Sequence, residues 1–316
     1  MKKAFEKLNL RDYGVLLGFL ALCIAISIAT PSFLGKQNIL NLLRQSSTIG
    51  IISAGMTFVI ISGNFDISVG AVAALAGAIT MKFATGGTNL FASMLLGVAI
   101  CAVIGLINGI VVAKINVPSL IATMAMVTIV RGLLLMLTGG YPITENIPIL
   151  DYIGNGYLFN IPIPVVIFFI VVLVSFIVLN KTKFGRYVYS VGGNQEASKL
   201  NGINVDSHKV KVFIINAVLA GIAGIVLTGR LGTATAIAGE GYDMDAIASV
   251  VIGGTSVAGG SGSVLKTVIG VLLMSVINNS FNLLGIDVYF QYIFKGLIIL
   301  AAVGFDSYSK KKLASR

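Results

Sequence analysis

The sequence predicts an all-α, polytopic membrane protein of about ten transmembrane helices in two inverted repeats of five, and three observations carry that expectation. Hydrophobic residues fill 56% of the 316 positions and charged residues only 11%, against roughly 25% charged in soluble domains. The mean hydropathy is +0.97. Apolar residues gather in long runs, several near the roughly 20 residues that a membrane-crossing helix needs. Charge is unevenly placed between the two long connections. Residues 181–211 hold six Lys/Arg (Lys181, Lys183, Arg186, Lys199, Lys209, Lys211) against Glu196 and Asp206, with the only histidine, His208. Residues 139–164 have no Lys or Arg and carry Glu145 and Asp151. Lys/Arg-rich short loops stay in the cytoplasm, so the basic stretch is expected in the cytosol and the acidic one outside.

In chain order, a basic start (Lys2, Lys3, Lys7, Arg11) precedes the apolar run 13–29. Such a start also suits a signal peptide, but the many later spans favour a retained first helix. Residues 31–45 read as a short exit loop. Further apolar runs cover about 48–62, 67–84, 90–113, 118–137, 162–179, 210–228, 246–258, 264–284 and 289–305. With ten spans and a cytoplasmic N-terminus, sixteen of the 22 Lys/Arg fall inside and Lys36, Arg44, Lys82 and Arg230 outside. Arg131 and Lys295 lie within spans. Both termini are then cytoplasmic. The chain divides into a first transmembrane half (1–180), a cytoplasmic loop (181–211) and the remaining transmembrane part (212–316), one membrane domain overall.

An internal repeat supports that division. Phe65-Asp66-Ile67-Ser68 resembles Tyr242-Asp243-Met244-Asp245, and Ile107-Asn108 recurs as Ile277-Asn278. Arg131-Gly132-Leu133 recurs as Lys295-Gly296-Leu297 in the same order. Five spans separate matching elements, which turns the second copy upside down, an architecture known for transporters. Chance similarity among Ala/Gly/Ile-rich helices is the competing reading.

Polar clusters within the apolar runs are the candidate functional positions. Gly63-Asn64-Phe65-Asp66-Ile67-Ser68-Val69-Gly70 reads as a broken helix or tight re-entry, tolerated at membrane depth only where protein or a polar cavity receives the backbone. Asn64, Asp66 and Ser68 either line a path or cap a helix. Asp243 and Asp245 open a short span that ends in the glycine-rich 253–262. Asn278, Asn279 and Asn282 share one stretch, and either bond between helices or meet hydroxyls of a substrate. Arg131 and Lys295 pair with Asp66 or Asp245, or snorkel to an interface. The inventory excludes other classes. Lys266-Thr267 follows Leu265 instead of glycine, so there is no phosphate loop, and HExxH and GxSxG are absent. Cys23 and Cys101 lack metal-ligand spacing. The net charge of +10 sits beside apolar spans, which argues against nucleic acid. Neither catalysis nor a cofactor or metal is expected.

Several ordered motifs together resemble the permease subunit of an ABC importer for monosaccharides, of the ribose-transporter type. They are 63–70, Pro118-Ser119-Leu120-Ile121-Ala122-Thr123 with Arg131-Gly132, and Thr182-Lys183-Phe184-Gly185-Arg186. Gly192-Gly193-Asn194 with Ala197, Asp245-Ala246-Ile247-Ala248, Gly253-Gly254-Thr255-Ser256 and Asn278-Asn279 through Lys295-Gly296 follow. The family usually has Asp-Leu-Ser and Glu-Leu-Asp-Ala where this chain has Asp66-Ile67-Ser68 and Asp243-Met244-Asp245-Ala246. It usually has glycine and a basic residue where Gly260-Ser261-Gly262-Ser263 stands. The resemblance implies a homodimeric permease in the bacterial plasma membrane with two cytoplasmic ATP-binding partners and an external sugar-binding protein. It also implies that Gly192, Gly193, Asn194, Gln195, Glu196 and Ala197 form the short helix that docks into the ATPase. There, Gly192 and Gly193 are expected to supply a steep turn through conformations closed to other residues, and Glu196 to meet a basic groove. The rival readings are a proton-coupled secondary transporter using Asp66 or Asp243, and a receptor or assembly factor without transport.

Overall fold

The computed structural model describes residues 10–314, and the basic residues Lys2, Lys3, Lys7 and Arg316 lie outside them. Nearly all regular structure is helical. In chain order the helices are α1 (Leu10–Ala29), α2 (Lys36–Ile61), α3 (Val69–Thr85), α4 (Leu90–Ala113) and α5 (Ser119–Thr138). Next come α6 (Pro148–Asn155), α7 (Ile163–Lys181), α8 (Lys183–Gly193), α9 (Gln195–Leu200) and α10 (Val205–Leu231). The last are α11 (Tyr242–Ile252), α12 (Val264–Leu283) and α13 (Val288–Ala314). Two antiparallel pairs of two-residue strands complete the fold: β1 (Ile143–Thr144) with β4 (Thr233–Ala234), and β2 (Tyr157–Leu158) with β3 (Ile161–Pro162).

Each apolar run of the sequence falls on a helix. Among the described residues, five helices are long and apolar enough to cross a membrane: α4, α5, α7, α10 and α12. The protein is thus a multi-pass membrane protein. Two local expectations need correction. Residues 31–45 are no loop: after a 3-10 turn at Pro31–Leu34, α2 starts at Lys36. Its polar first turns are held by distant partners, Asn38 by Asn279 and Arg44 by the carbonyl of Asn155 at 3.1 Å. The run 246–258 is helical only to Ile252, because Gly253 and the left-handed Gly254 end α11.

Helix α10 runs through the centre, against α2, α3, α4 and α6. Small residues permit the approach, as expected where apolar burial alone does not drive helices together. A Cβ on Gly224 would stand 1.8 Å from the carbonyl oxygen of Ala73, and one on Gly77 1.9 Å from Thr228 Oγ1. These contacts advance together along both chains, so α3 and α10 are parallel. Gly109 meets Val210, Gly105 meets Phe213 and Cys101 meets Gly221, so α4 is antiparallel to them. One end of the bundle therefore collects the C-termini of α2 and α4, the N-termini of α3 and α10, and α8–α9. The other end holds α6, whose Gly154 abuts the backbone of Gly229 and Arg230. The basic and acidic connections lie at opposite ends.

Candidate functional site

Two buried polar clusters and a cavity lie inside the bundle. The first begins where α2 stops. Gly63 is left-handed (φ 79°) and turns the chain, and Asn64 Nδ2 donates to the carbonyl of Ser62 at 3.1 Å. Asp66 is 1% exposed. Its Oδ1 accepts from the Ser68 amide (2.9 Å) and hydroxyl (2.5 Å), and its Oδ2 accepts from Asn216 Nδ2 on α10 (2.9 Å). Ser68 Oγ in turn accepts from Asn108 Nδ2 on α4 at 3.1 Å. The amides of Phe65 and Ile67 donate to Ser119 Oγ and Thr123 Oγ1 of α5. Asp66 thus starts α3 and ties it to α10, with both of its oxygens hydrogen-bonded, as a buried carboxylate requires.

The second cluster surrounds Asp245, 3% exposed, on α11. Lys295 Nζ of α13 lies 3.0 Å from its Oδ1 and 3.1 Å from Oδ2, and Asn278 Nδ2 of α12 is 3.4 Å from Oδ2. Lys295 therefore pairs with Asp245. Arg131 pairs with neither Asp66 nor Asp245: its guanidinium donates to the carbonyls of Ala236 and Ala238. Asn279 faces away from this cluster and exchanges hydrogen bonds with Asn38 at 2.8 and 3.0 Å. Asn282 is exposed and accepts from Gln291.

A cavity of about 710 Å³ opens between α3, α5, the segment before α11, and α13. Its wall includes Ile67, Gly70, Arg131, Glu240, Asp243 and Tyr292. Of the polar residues selected from the sequence, Asp243 and Arg131 are in that wall. Asn64, Asp66, Ser68, Asp245, Asn278 and Asn279 are buried and do not line it. Asn108, Asn216, Glu240 and Tyr292 were not selected as site residues. A lone Asn inside an apolar run, as at 108 and 216, is the signal that could have marked the first two.

At the basic end, α8 and α9 meet at Asn194, whose backbone is extended and whose Oδ1 accepts from the Ala197 amide at 2.9 Å. The turn is made there. Gly192 and Gly193 remain helical within α8, which corrects the expected use of left-handed glycine. Gly192 instead serves close packing: a Cβ on it would lie 1.7 Å from the carbonyl oxygen of Ile61 and 2.8 Å from the Gly260 amide nitrogen, which itself donates to Ile61. Gly193 is open, with nothing nearer than 3.9 Å. Tyr189 donates its hydroxyl to the Gly262 carbonyl at 3.0 Å. Burial pushes that phenol above its ordinary range. Outward, α9 exposes Glu196, Ala197, Lys199 and Leu200, while Gln195 accepts from Lys209 at 2.9 Å.

The model for the branched-chain amino acid transport system / permease component family matches residues 38–303. The chain is 44% identical to the ribose import permease protein RbsC of Haemophilus influenzae over 93% of its own length and 94% of the relative's. It is 42% identical to RbsC of Bacillus subtilis (94% and 93% covered) and 35% identical to the L-arabinose transport system permease protein AraH of Escherichia coli (95% and 92%). No solved structure matches. With so much of each chain aligned, this protein belongs to the family of transport permease components that includes the ribose import permeases.

Proposed function

We propose that this chain is the membrane-spanning subunit of an ATP-driven importer that passes a monosaccharide, with ribose the leading substrate among the pentoses, into the bacterial cytoplasm. The carrying observation is the likeness to ribose import permeases over more than nine-tenths of both chains. ATP is hydrolysed by two separate partners seated on the α8–α9 face, a binding protein delivers the sugar at the α6 end, and two copies of the chain form the permease. In this reading the basic end and both termini are cytosolic, and Asn64, Asp66, Ser68, Asp243, Asp245, Asn278 and Asn279 line or brace the path.

The ten-span layout in two inverted repeats fits the polar clusters. Asn108 of α4 donates to Ser68, and its counterpart Asn278 of α12 donates to Asp245, the counterpart of Ser68. Thr57–Thr267 and Asn38–Asn279 contacts make α12 antiparallel to α2, so α12 begins at the end where α4 stops. The matching helices point in opposite directions.

The test is uptake by proteoliposomes holding the permease, its ATPase and the binding protein. Labelled ribose should enter with ATP, unaffected by an uncoupler. Uptake driven by a pH gradient alone would establish the proton-coupled alternative and overturn this reading. Sidedness is checked by single cysteines at Leu200 and Phe159, 89% and 90% exposed, in a background lacking Cys23 and Cys101. An impermeant reagent applied to intact cells should label only the second. Ser198, though in the same basic stretch, is buried against Ser190 and is a poor probe.

A further inference from the structure

Beside the 710 Å³ cavity lies a second one of about 260 Å³, lined by Glu240, Gly241, Met244, Gln291, Tyr292 and Lys295 among others. The two share Glu240, Gly241, Met244 and Tyr292. Tyr292 is thus a partition between them, 59% exposed, with charged groups on either side. Arg131 and Asp243 belong to the larger cavity, Lys295 and Gln291 to the smaller, and Glu240 to both. Arg131 stands within electrostatic reach of both Glu240 and Asp243.

Charged side chains are costly against lipid and mark polar pathways inside a bundle. A cavity walled by two carboxylates and a guanidinium therefore admits water or a polar solute in preference to an acyl chain. A solute that suits it must offer many neutral donors and acceptors and one less polar surface for an aromatic face. Small-molecule sites combine apolar and aromatic walls with a few placed polar groups in this way, and the electron-rich face of a ring attracts weakly positive C–H groups. An aldopentose has both features: hydroxyls around its ring and C–H bonds on its faces.

Building on the sugar-import reading above, we propose that Tyr292 and Glu240 form a sugar-binding subsite within the permease itself. The Tyr292 ring stacks on the sugar, Glu240 accepts from its hydroxyls, and Arg131 and Lys295 donate on the two sides. Arg131 also positions the site, because its bonds to Ala236 and Ala238 fix the segment that carries Glu240.

The chain has no tryptophan, so Tyr292→Trp places a single indole in the partition. Ribose titrated into the purified full-length chain should change its fluorescence saturably. Tyr289→Trp, one turn away at a position 79% exposed and lining neither cavity, should not respond. Adding Glu240→Gln to Tyr292→Trp should weaken apparent affinity about tenfold, the factor equivalent to 1.4 kcal/mol. In the assembled transporter, Tyr292→Leu should lower ribose uptake about tenfold and Tyr289→Leu should keep it, a contrast that also decides the matter where Tyr292→Trp does not accumulate. No response at 292, or an equal response at 289, while the wild-type transporter imports ribose, overturns the subsite and leaves the sugar reading standing. A wild-type transporter that imports neither ribose, xylose nor arabinose overturns the sugar reading on which the subsite rests.

Discussion

The two buried aspartates occupy similar sequence surroundings and are neutralised in opposite ways. Among the described residues no cation is bonded to Asp66; two side chains and a backbone amide, from Ser68 at the start of α3 and Asn216 of α10, supply its hydrogen bonds. Asp245 is held by Lys295, whose side chain is 23% exposed and lines the smaller cavity. A carboxylate satisfied by neutral donors locks the elements that bear them. One satisfied by a lysine on another helix, with solvent at hand, can exchange that partner. The Asp66 cluster is accordingly a brace, and the Asp245 cluster is where α11, α12 and α13 can shift relative to one another.

Substitution can break that contrast. The largest effect is expected from Asp66→Ala, which orphans three donors at about 1–3 kcal/mol each; the purified permease should lose most of its thermal stability. Survival with an unchanged melting temperature would show that Asp66 is no brace. Gly192→Val comes next, because Gly192 packs against Ile61, which leads to the Asp66 cluster, and Gly260, which leads to the Asp245 cluster. It should abolish transport or release the ATPase on co-purification, whereas Gly193→Val should stay within about 0.5 kcal/mol of wild type. Equal effects of the two would refute the packing role.

Lys295→Met should leave the permease folded, costing about 2 kcal/mol, less than the 3–5 expected where no water reaches the abandoned charge. Uptake should still fall about tenfold, and Asp245→Asn in the same chain should recover part of it. A loss of stability as large as that of Asp66→Ala would erase the distinction between the clusters. The smallest effect belongs to Tyr189→Phe, which removes one hydrogen bond to Gly262, worth about 1 kcal/mol. It should lower sugar moved per ATP a few-fold with ATPase binding intact; unchanged coupling would mean that motion reaches α11 by another route.

Much of this was legible in the chain. Run length and hydropathy located the helices, since lipid leaves an apolar segment few alternatives. The basic stretch marked one end of the bundle. The sequence also pointed to Asp66, Asp245 and Asn278, because polar groups are conspicuous among Ile, Val and Ala. Partners could not be read. Asn216 meets Asp66 across 150 positions and Asn279 meets Asn38 across 241, and only packing brings such residues together. The same limit explains α2: Asn38 and Arg44 look like loop residues until their partners are seen. Glycine misled for a related reason, since left-handed use and close packing have the same spelling. Gly192 proved to be the second kind.

The shortness of α11 bears on how the protein is made. Eleven helical residues extend about 16 Å at 1.5 Å per residue, roughly half the 30 Å hydrocarbon thickness. Residues 245–251 are nonetheless all buried. During synthesis this segment emerges before α12 and α13, and too little of it is apolar for it to partition into lipid by itself. Its place is created by helices that surround it on three sides: α2, already inserted, and α12 and α13, which are made after it. Biogenesis is therefore not a simple series of independent insertions. About the last quarter of the polypeptide, from Tyr242 on, is expected to enter as a unit, and a ribosome stalled between α11 and α12 would leave α11 for quality-control proteases to find.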